Sequence, residues 1–419
     1  AESRIQTFME EFPESPMLQE AQWMYANHLY RKRDWRDVIE AFDVIKTTRM
    51  PAEKKLELTF KKGHAKFELE RYDEARLDLY SVMEAGESAG IFADNSKYYF
   101  SHISYIKGQP QVALTGFQEL ANHPNFGDIV PIYIAQLLHE TEQYDALIEY
   151  APQVLHSDSR INEIQRADVS RLVGDALYRK QDFSGAYPYL EEAYTFSRGR
   201  ERTRDFSYQM GYVYYQEKEY RKAINCLTLS VREDDAMAQN ALYHMADCYM
   251  GLLERDKART TFKKASQLDF DPEIREDALF SYAKLAYELT YNPFDDAIGA
   301  IERYLRETPN SERKDEALGF LLEVYMSSKN YDRALSALKQ IKEKTLPVKQ
   351  AYQMVAYNRG VELFRSGNYD ESVAYFDDVR TYPINPLLTA ESHFWLGELN
   401  YLLKRYTEST GHYANFESA

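Results

Sequence analysis

The sequence is short of the residues from which small-protein staples and catalytic centres are made. It holds two cysteines, Cys226 and Cys248, in 419 residues. Two thiols cannot build a disulfide framework or a four-ligand zinc site, and on helices they are expected as buried free thiols. No apolar run approaches the ~20 residues that cross a bilayer as a helix. No H-E-x-x-H, G-x-G-x-x-G, P-loop or G-x-S-x-G pattern occurs, and "LLHETEQ" around His139 lacks the second histidine of a zinc helix. No enzyme activity, cofactor or metal is therefore expected. Positive charge is also in deficit: 51 Lys and Arg against 67 Asp and Glu leave a net charge of −16. Such a field repels nucleic acid and anionic membranes. The 44% hydrophobic and 28% charged composition fits a folded chain, and its length exceeds what one ordinary core supports.

What is abundant is tyrosine, with 35 residues, in a chain that is 14% aromatic. Many of these rings sit in a recurring phrase: "RYDEA", "QYDAL", "DFSGA", "EYRKA", "PFDDA", "NYDRA", "NYDES", "RYTES". Each phrase ends on a small or apolar residue three positions after the ring. That register mark falls at Val38, Ala75, Ala113, Leu147, Ala186, Ala223, Ala258, Ala297, Ala334, Ser372 and Ser409, with a mean step of 37.1 residues. Twelve residues before it stands another small residue in most units, such as Ala26, Gly63, Gly174, Gly211 and Gly397, and four after it an apolar one. Spacings of three and four within each half-unit predict helix. The small residues let two antiparallel helices approach, and the ring fills the wedge at their turn. Asp73, Asp145, Asp295, Asp332 and Asp370 follow the ring, where a carboxylate suits a helix N-terminus. Proline about twelve residues past the mark is expected to stop the second helix.

These residues resemble the tetratricopeptide repeat (TPR). The resemblance spans essentially the whole chain and implies an all-α, right-handed α-α superhelical solenoid of about eleven hairpins. The long turns "FPESPMLQEAQ" and "TPNSERKDEAL" are similar to a sub-class found in bacterial envelope lipoproteins of outer-membrane assembly and cell-division coordination. That likeness implies the envelope of a Gram-negative bacterium, periplasmic or outer-membrane-associated and facing the periplasm through a lipid-anchored parent chain, with a cytoplasmic setting as the alternative. "AESRIQTFMEEFPESP" overlays "AIGAIERYLRETPNSE", with Ala1 on Ala297 and Pro13 on Pro309. Residues 1–12 are thus expected to be the second helix of a truncated repeat, 13–157 to hold repeats one to four, and 158–419 repeats five to eleven, within a longer parent chain.

Some features interrupt the array. Pro152 and Pro188 fall inside second helices and predict a kink or shortening; the outcome is either a bend near residues 150–165 or tolerated drift. Arg198, Arg200, Arg202 and Arg204 offer either an anion or partner loop or a solvated turn. His64 and His102 occupy equivalent positions on neighbouring first helices, as a weak metal pair or as hydrogen-bonded side chains.

By the resemblance, the second, fifth, ninth and twelfth positions of each unit line a groove. There stand Trp23, Tyr30, Phe60, Phe67, Tyr98, Tyr105, Tyr208, Tyr212, Tyr215, Tyr243, Tyr357, Phe394 and Tyr401. Tyr and Trp supply binding area at little entropic cost. The expectation is a scaffold holding a protein segment, basic where the groove is acidic. Stacking of the rings on carbohydrate, a pure spacer role, and ordinary packing of the rings are the alternatives. The chaperone-tail carboxylate clamp is not expected: Asn27 matches one of its places, but Trp23 replaces its lysine.

Overall fold

The computed structural model describes residues 2–48, 50–156, 161–197, 202–289, 295–328, 330–341 and 344–418. Among them every regular element is helical. In chain order the α-helices are α1 Glu2–Glu11, α2 Leu18–Lys32, α3 Trp35–Asp43, α4 Ala52–Glu68, α5 Tyr72–Glu84, α6 Ile91–Ile106, α7 Pro110–Leu120, α8 Val130–Glu140, α9 Tyr144–Leu155, α10 Glu163–Arg179 and α11 Phe183–Phe196. They continue with α12 Arg204–Gln216, α13 Tyr220–Thr228, α14 Ala236–Gly251, α15 Arg255–Ala265, α16 Pro272–Glu288, α17 Asp295–Glu307, α18 Lys314–Ser328, α19 Tyr331–Gln340, α20 Leu346–Arg365, α21 Tyr369–Val379, α22 Pro386–Leu402 and α23 Tyr406–Glu417.

The chain forms two compact units, Ala1–Arg202 and Thr203–Ala419. Within each, every even-numbered helix is the first of a hairpin and packs on the odd-numbered helix that follows; first helices also touch the next first helix, as α4 does α6 and α14 does α16. This is the expected all-α solenoid stacking. Residues 157–160 of the expected bend lie outside the described residues, as do Arg198, Arg200, Phe294 and the register position Ala1.

The register marks form the spine of both units. All eleven are buried, none more than 2% exposed. The small residue twelve places earlier meets the apolar residue four places past the mark. A Cβ added at Gly174 would lie 2.5 Å from Leu190, one at Gly211 2.7 Å from Leu227, and one at Gly397 2.7 Å from Tyr413. Where the mark is serine, its hydroxyl finds a partner inside the same contact: Ser372 Oγ donates to the Gly360 carbonyl at 2.8 Å and Ser409 Oγ to that of Gly397 at 2.9 Å. A buried hydroxyl would otherwise cost stability.

The turn within the hairpin has one fixed design. Five residues before the mark the backbone is left-handed at Arg33, Glu70, Gly108, Glu142, Gln181, Lys218, Leu253, Gly367 and Lys404. The next residue donates back to the carbonyl five places earlier, as Asp34 to Leu29, Gln143 to Leu138, Glu219 to Tyr214 and Arg405 to Asn400. This is the Schellman closure, which satisfies the last carbonyls of the first helix. Across the turn the ring of the recurring phrase packs on a ring five residues earlier: Trp35 on Tyr30, Tyr72 on Phe67, Tyr144 on His139, Phe183 on Tyr178, Tyr369 on Phe364 and Tyr406 on Tyr401.

Two expectations about proline are corrected. Most second helices stop well short of the prolines: α3 ends at Asp43, α15 at Ala265 and α19 at Gln340, whereas α17, ending at Glu307 just before Pro309, follows the expectation. Pro51 instead precedes α4 as its N-cap, and Pro272 and Pro347 sit in the first turns of α16 and α20. Proline suits that place because the first N–H groups of a helix have no intrahelical partner. Nor do Pro152 and Pro188 shorten their helices, since α9 runs on to Leu155 and α11 to Phe196.

Candidate partner-binding surface

Several first helices present rings toward the next first helix of their unit. In the first unit, Trp23 of α2 stands edge-on to Phe42 at 5.8 Å, with the ammonium groups of Lys54 and Lys61 each 5.6 Å from its ring. Lys61 of α4 also donates to Asn27 of α2 and, at 2.5 Å, to Glu57. Tyr30 Oη and His64 Nδ1 are 2.5 Å apart. Phe67 sits between Tyr72 and Tyr99, at 5.8 and 5.0 Å. Tyr98 stacks on Phe126 at 4.8 Å, and Tyr105 donates to Glu140 at 3.2 Å. Phe60 is only 5% exposed and belongs to the core, so it offers no binding surface.

In the second unit the rows tighten around α12, α14 and α16. Tyr208 donates to Asn240 at 2.7 Å, Tyr215 to Asp247 at 3.2 Å, and Tyr243 to Asp277 at 2.5 Å. The His244 ring is enclosed by Tyr212, Tyr215 and Tyr243 at 4.9, 4.8 and 5.5 Å. Further on, Trp395 donates to Tyr357 Oη at 3.1 Å, and Phe394 packs among Trp395, Tyr413 and Phe416. Tyr401 is the open member, 59% exposed and edge-on to Tyr406. The other eleven expected residues, Phe60 and Tyr401 apart, are half-buried.

A rule connects these contacts. A hydroxyl or imidazole at the twelfth position of one unit meets the ninth position of the next: Tyr30 with His64, His139 with Asp175, Tyr215 with Asp247, Tyr287 with Glu323. A tyrosine at the fifth position meets the second of the next: Tyr208 with Asn240, Tyr243 with Asp277. The sequence reading found the rings but missed their acceptors. Reading one repeat further along, at the second and ninth positions, would have found them. His64 is hydrogen-bonded to Tyr30 and His102 to Tyr133 at 3.2 Å, the side-chain pairing expected as the alternative to a metal pair.

Burial sets the electrostatics. The Asp247 carboxyl is pushed up to about 6, first by burial and then by the neighbouring Asp277, against the Tyr215 hydrogen bond that lowers it. Burial holds His244 down at about 4, as a neutral imidazole whose Nδ1 is buried with no hydrogen-bond partner among the described residues. The Tyr215 and Tyr243 hydroxyls are raised by burial and by the carboxylates they touch, so they stay donors.

Of the expected arginine loop, Arg202 and Arg204 are described. Arg202 lies over the Tyr194 ring at 4.3 Å and donates to the Tyr194 and Ser197 carbonyls. Arg204 forks onto Asp235, the N-cap of α14, and donates to the Ser230 carbonyl at 2.8 Å. Both side chains are thus occupied, Arg202 within its own loop and Arg204 in fastening the turn before α14. Among the described residues no helix is long and apolar enough to cross a membrane.

Comparison with known proteins places these hairpins. Two family profiles, both described as tetratricopeptide repeat, match residues 240–268 and 357–414. No curated protein sequence matches the chain. Similar solved structures include YrrB, titled a TPR protein with an unusual peptide-binding site, at 16% identity over 51% of this chain and 97% of that one, TM-score 0.36. The TPR domain of P58(IPK) is 14% identical over 84% of this chain and 99% of that one, TM-score 0.25. The TPR2AB domain of yeast Sti1, titled as a complex with pHSP90, is 15% identical over 65% and 100%, TM-score 0.32. The matched segments cover α14–α15 and most of α20–α23, in phase with the hairpins that recur through both units, and these two segments of the chain are tetratricopeptide repeats.

Proposed function

We propose that the chain is a non-catalytic scaffold that holds a segment of a partner protein along its first-helix faces, centred in the second unit on Tyr208, Tyr212, Tyr215 and Tyr243. One observation carries this reading. The hydroxyls of Tyr208, Tyr215 and Tyr243 are already bonded to the next helix, so these half-exposed rings are fixed before any partner arrives. Rings held in place lose little entropy on binding. The acceptors that hold them are Asp247, Asp277 and Asn240, and with Asp205 nearby in α12 they favour a partner bearing Lys or Arg. The likeness of the inter-repeat turns to those of envelope lipoproteins supports a setting in bacterial envelope assembly. The division of the array at 157/158 into two groups of repeats is proposed on Pro152 and Pro188, which stand inside successive second helices.

The test is a photo-crosslinking amino acid placed at Tyr212 in the full chain, with a control at Lys264 on the exposed side of α15. In extract of the source organism, position 212 should yield a discrete protein adduct that position 264 does not. Adducts identical at both positions, or none at 212, would overturn the reading. An adduct to glycan rather than protein would transfer it to the carbohydrate alternative.

A further inference from the structure

The two segments that overlay in the sequence build the same feature in the two units. In the second unit a cleft of about 650 Å³ opens between α17 and α19, with α18 at its floor and the Pro309 turn at one end. In the first, a cleft of about 630 Å³ opens between α1 and α3, over α2, closed by Pro13. Their linings correspond position by position: Met9 with Leu305, Pro13 with Pro309, Tyr25 with Leu321, and Ala41 with Ala337, each pair 296 positions apart. The floors are therefore alike and apolar. The rims are not. Asp37 corresponds to Arg333, Leu18 to Lys314 and Glu40 to Ser336, while Arg306 joins the second cleft from α17. One repeat architecture thus carries an acidic cleft in one unit and a basic cleft in the other.

The basic cleft is unusual in a chain of net charge −16. Its lining acid, Glu302, is already taken by the Tyr325 hydroxyl. Arg306 and Lys314 enter no ion pair among the described residues, and Arg306 is exposed. Two cations with no carboxylate at ion-pair distance among the described residues, beside Leu305, Leu321 and Ile341, match an acidic segment that carries an apolar side chain. The cleft volume suits one such side chain with its flanking backbone.

We propose that the cleft between α17 and α19 is a docking site for an acidic partner segment, anchored by one apolar side chain, on a surface separate from the first-helix rings. This does not rest on the ring-face reading, which calls for a basic partner on another surface.

A random dodecapeptide library displayed on phage, panned in parallel on the full chain and on an R306E/K314E variant, tests it. Peptides that enrich on the parent chain and not on the variant should carry Asp or Glu around an apolar residue. A fluorescein-labelled copy of the best should bind the variant about tenfold or more weakly. It should also lose affinity on A337W, which fills the cleft without changing its charge, and keep it on D37R/E40R in the matching cleft. Circular dichroism confirms that each variant folds. The proposal fails if no peptide separates the parent chain from R306E/K314E, if those that do are basic, or if A337W binds as the parent does.

Discussion

At the scale of residues, the tyrosine excess has a mechanical explanation alongside the proposed binding one. Rings at the fifth and twelfth positions pack on their own hairpin, and their hydroxyls reach one repeat ahead. Removing a hydroxyl leaves a half-buried acceptor short of a partner, so Y215F is expected to lower stability by about 1 kcal/mol in thermal or urea melts. The same pair makes stability depend on pH. The Asp247 carboxyl holds its proton up to about pH 6 in the folded chain, whereas an unfolded aspartate loses it near 4. Between these values the native state carries the extra proton, so stability falls as pH rises. His244 acts in the opposite sense: its neutral form is favoured by folding, and that stability is lost as pH falls from about 6.5 toward 4. D247N should therefore gain in melting temperature relative to the parent at pH 7.5 and lose that gain at pH 4; a difference independent of pH would contradict the assignment. Glycine gives a second contrast. G211A would press a methyl against Leu227 at 2.7 Å and should destabilise by about 1–3 kcal/mol, through overpacking. Gly319 lies inside α18 with nothing within 4 Å of an added Cβ, so G319A should stabilise by about 1 kcal/mol.

At the scale of elements, the hairpin was largely legible and its joints were not. Period, helix pairs, buried marks and wedge rings all follow from residue type at fixed spacing, because burial forces the same choice in every unit. The left-handed turn residue left no such trace. It is glycine at Gly108 and Gly367 but Arg, Glu, Gln, Lys or Leu elsewhere, since the Schellman bonds and solvent exposure outweigh the steric cost of a side chain there. Leu253, 80% exposed at φ 60°, pays that cost for little packing in return, so L253G should raise stability by up to about 1 kcal/mol. The inter-repeat turns hide a similar device. Gln239 is fully buried, donates to the Leu268 and Asp271 carbonyls, and accepts from the Phe270 and Asp271 amides. Gln353 stands at the same register and braces the turn at Asn385. A lone glutamine in a helix carries no sequence signal of this role; only its recurrence at one register does. Q239L would leave those backbone groups unpaired and should cost about 3 kcal/mol in a denaturant titration.

At the scale of the whole molecule, the chain is two compact units built from one hairpin copied at a nearly constant interval. The candidate surface was legible as a set of rings, less so as a site. Spacing gives a side chain's face of the helix, but not whether the next repeat will occupy its polar end. That is why Phe60 proved to be core, and why Arg202 is engaged within its own loop and Arg204 with the turn before α14. Energetically, repeats of this kind are coupled chiefly to their neighbours. Hydrogen–deuterium exchange of the full chain, read by mass spectrometry along the sequence, tests the repeat most directly. Protection should rise and fall with a period of about 37 residues, highest around the buried marks from Val38 to Ser409 and lowest in the turns between hairpins. A single protected block, or protection with no relation to that interval, would contradict it.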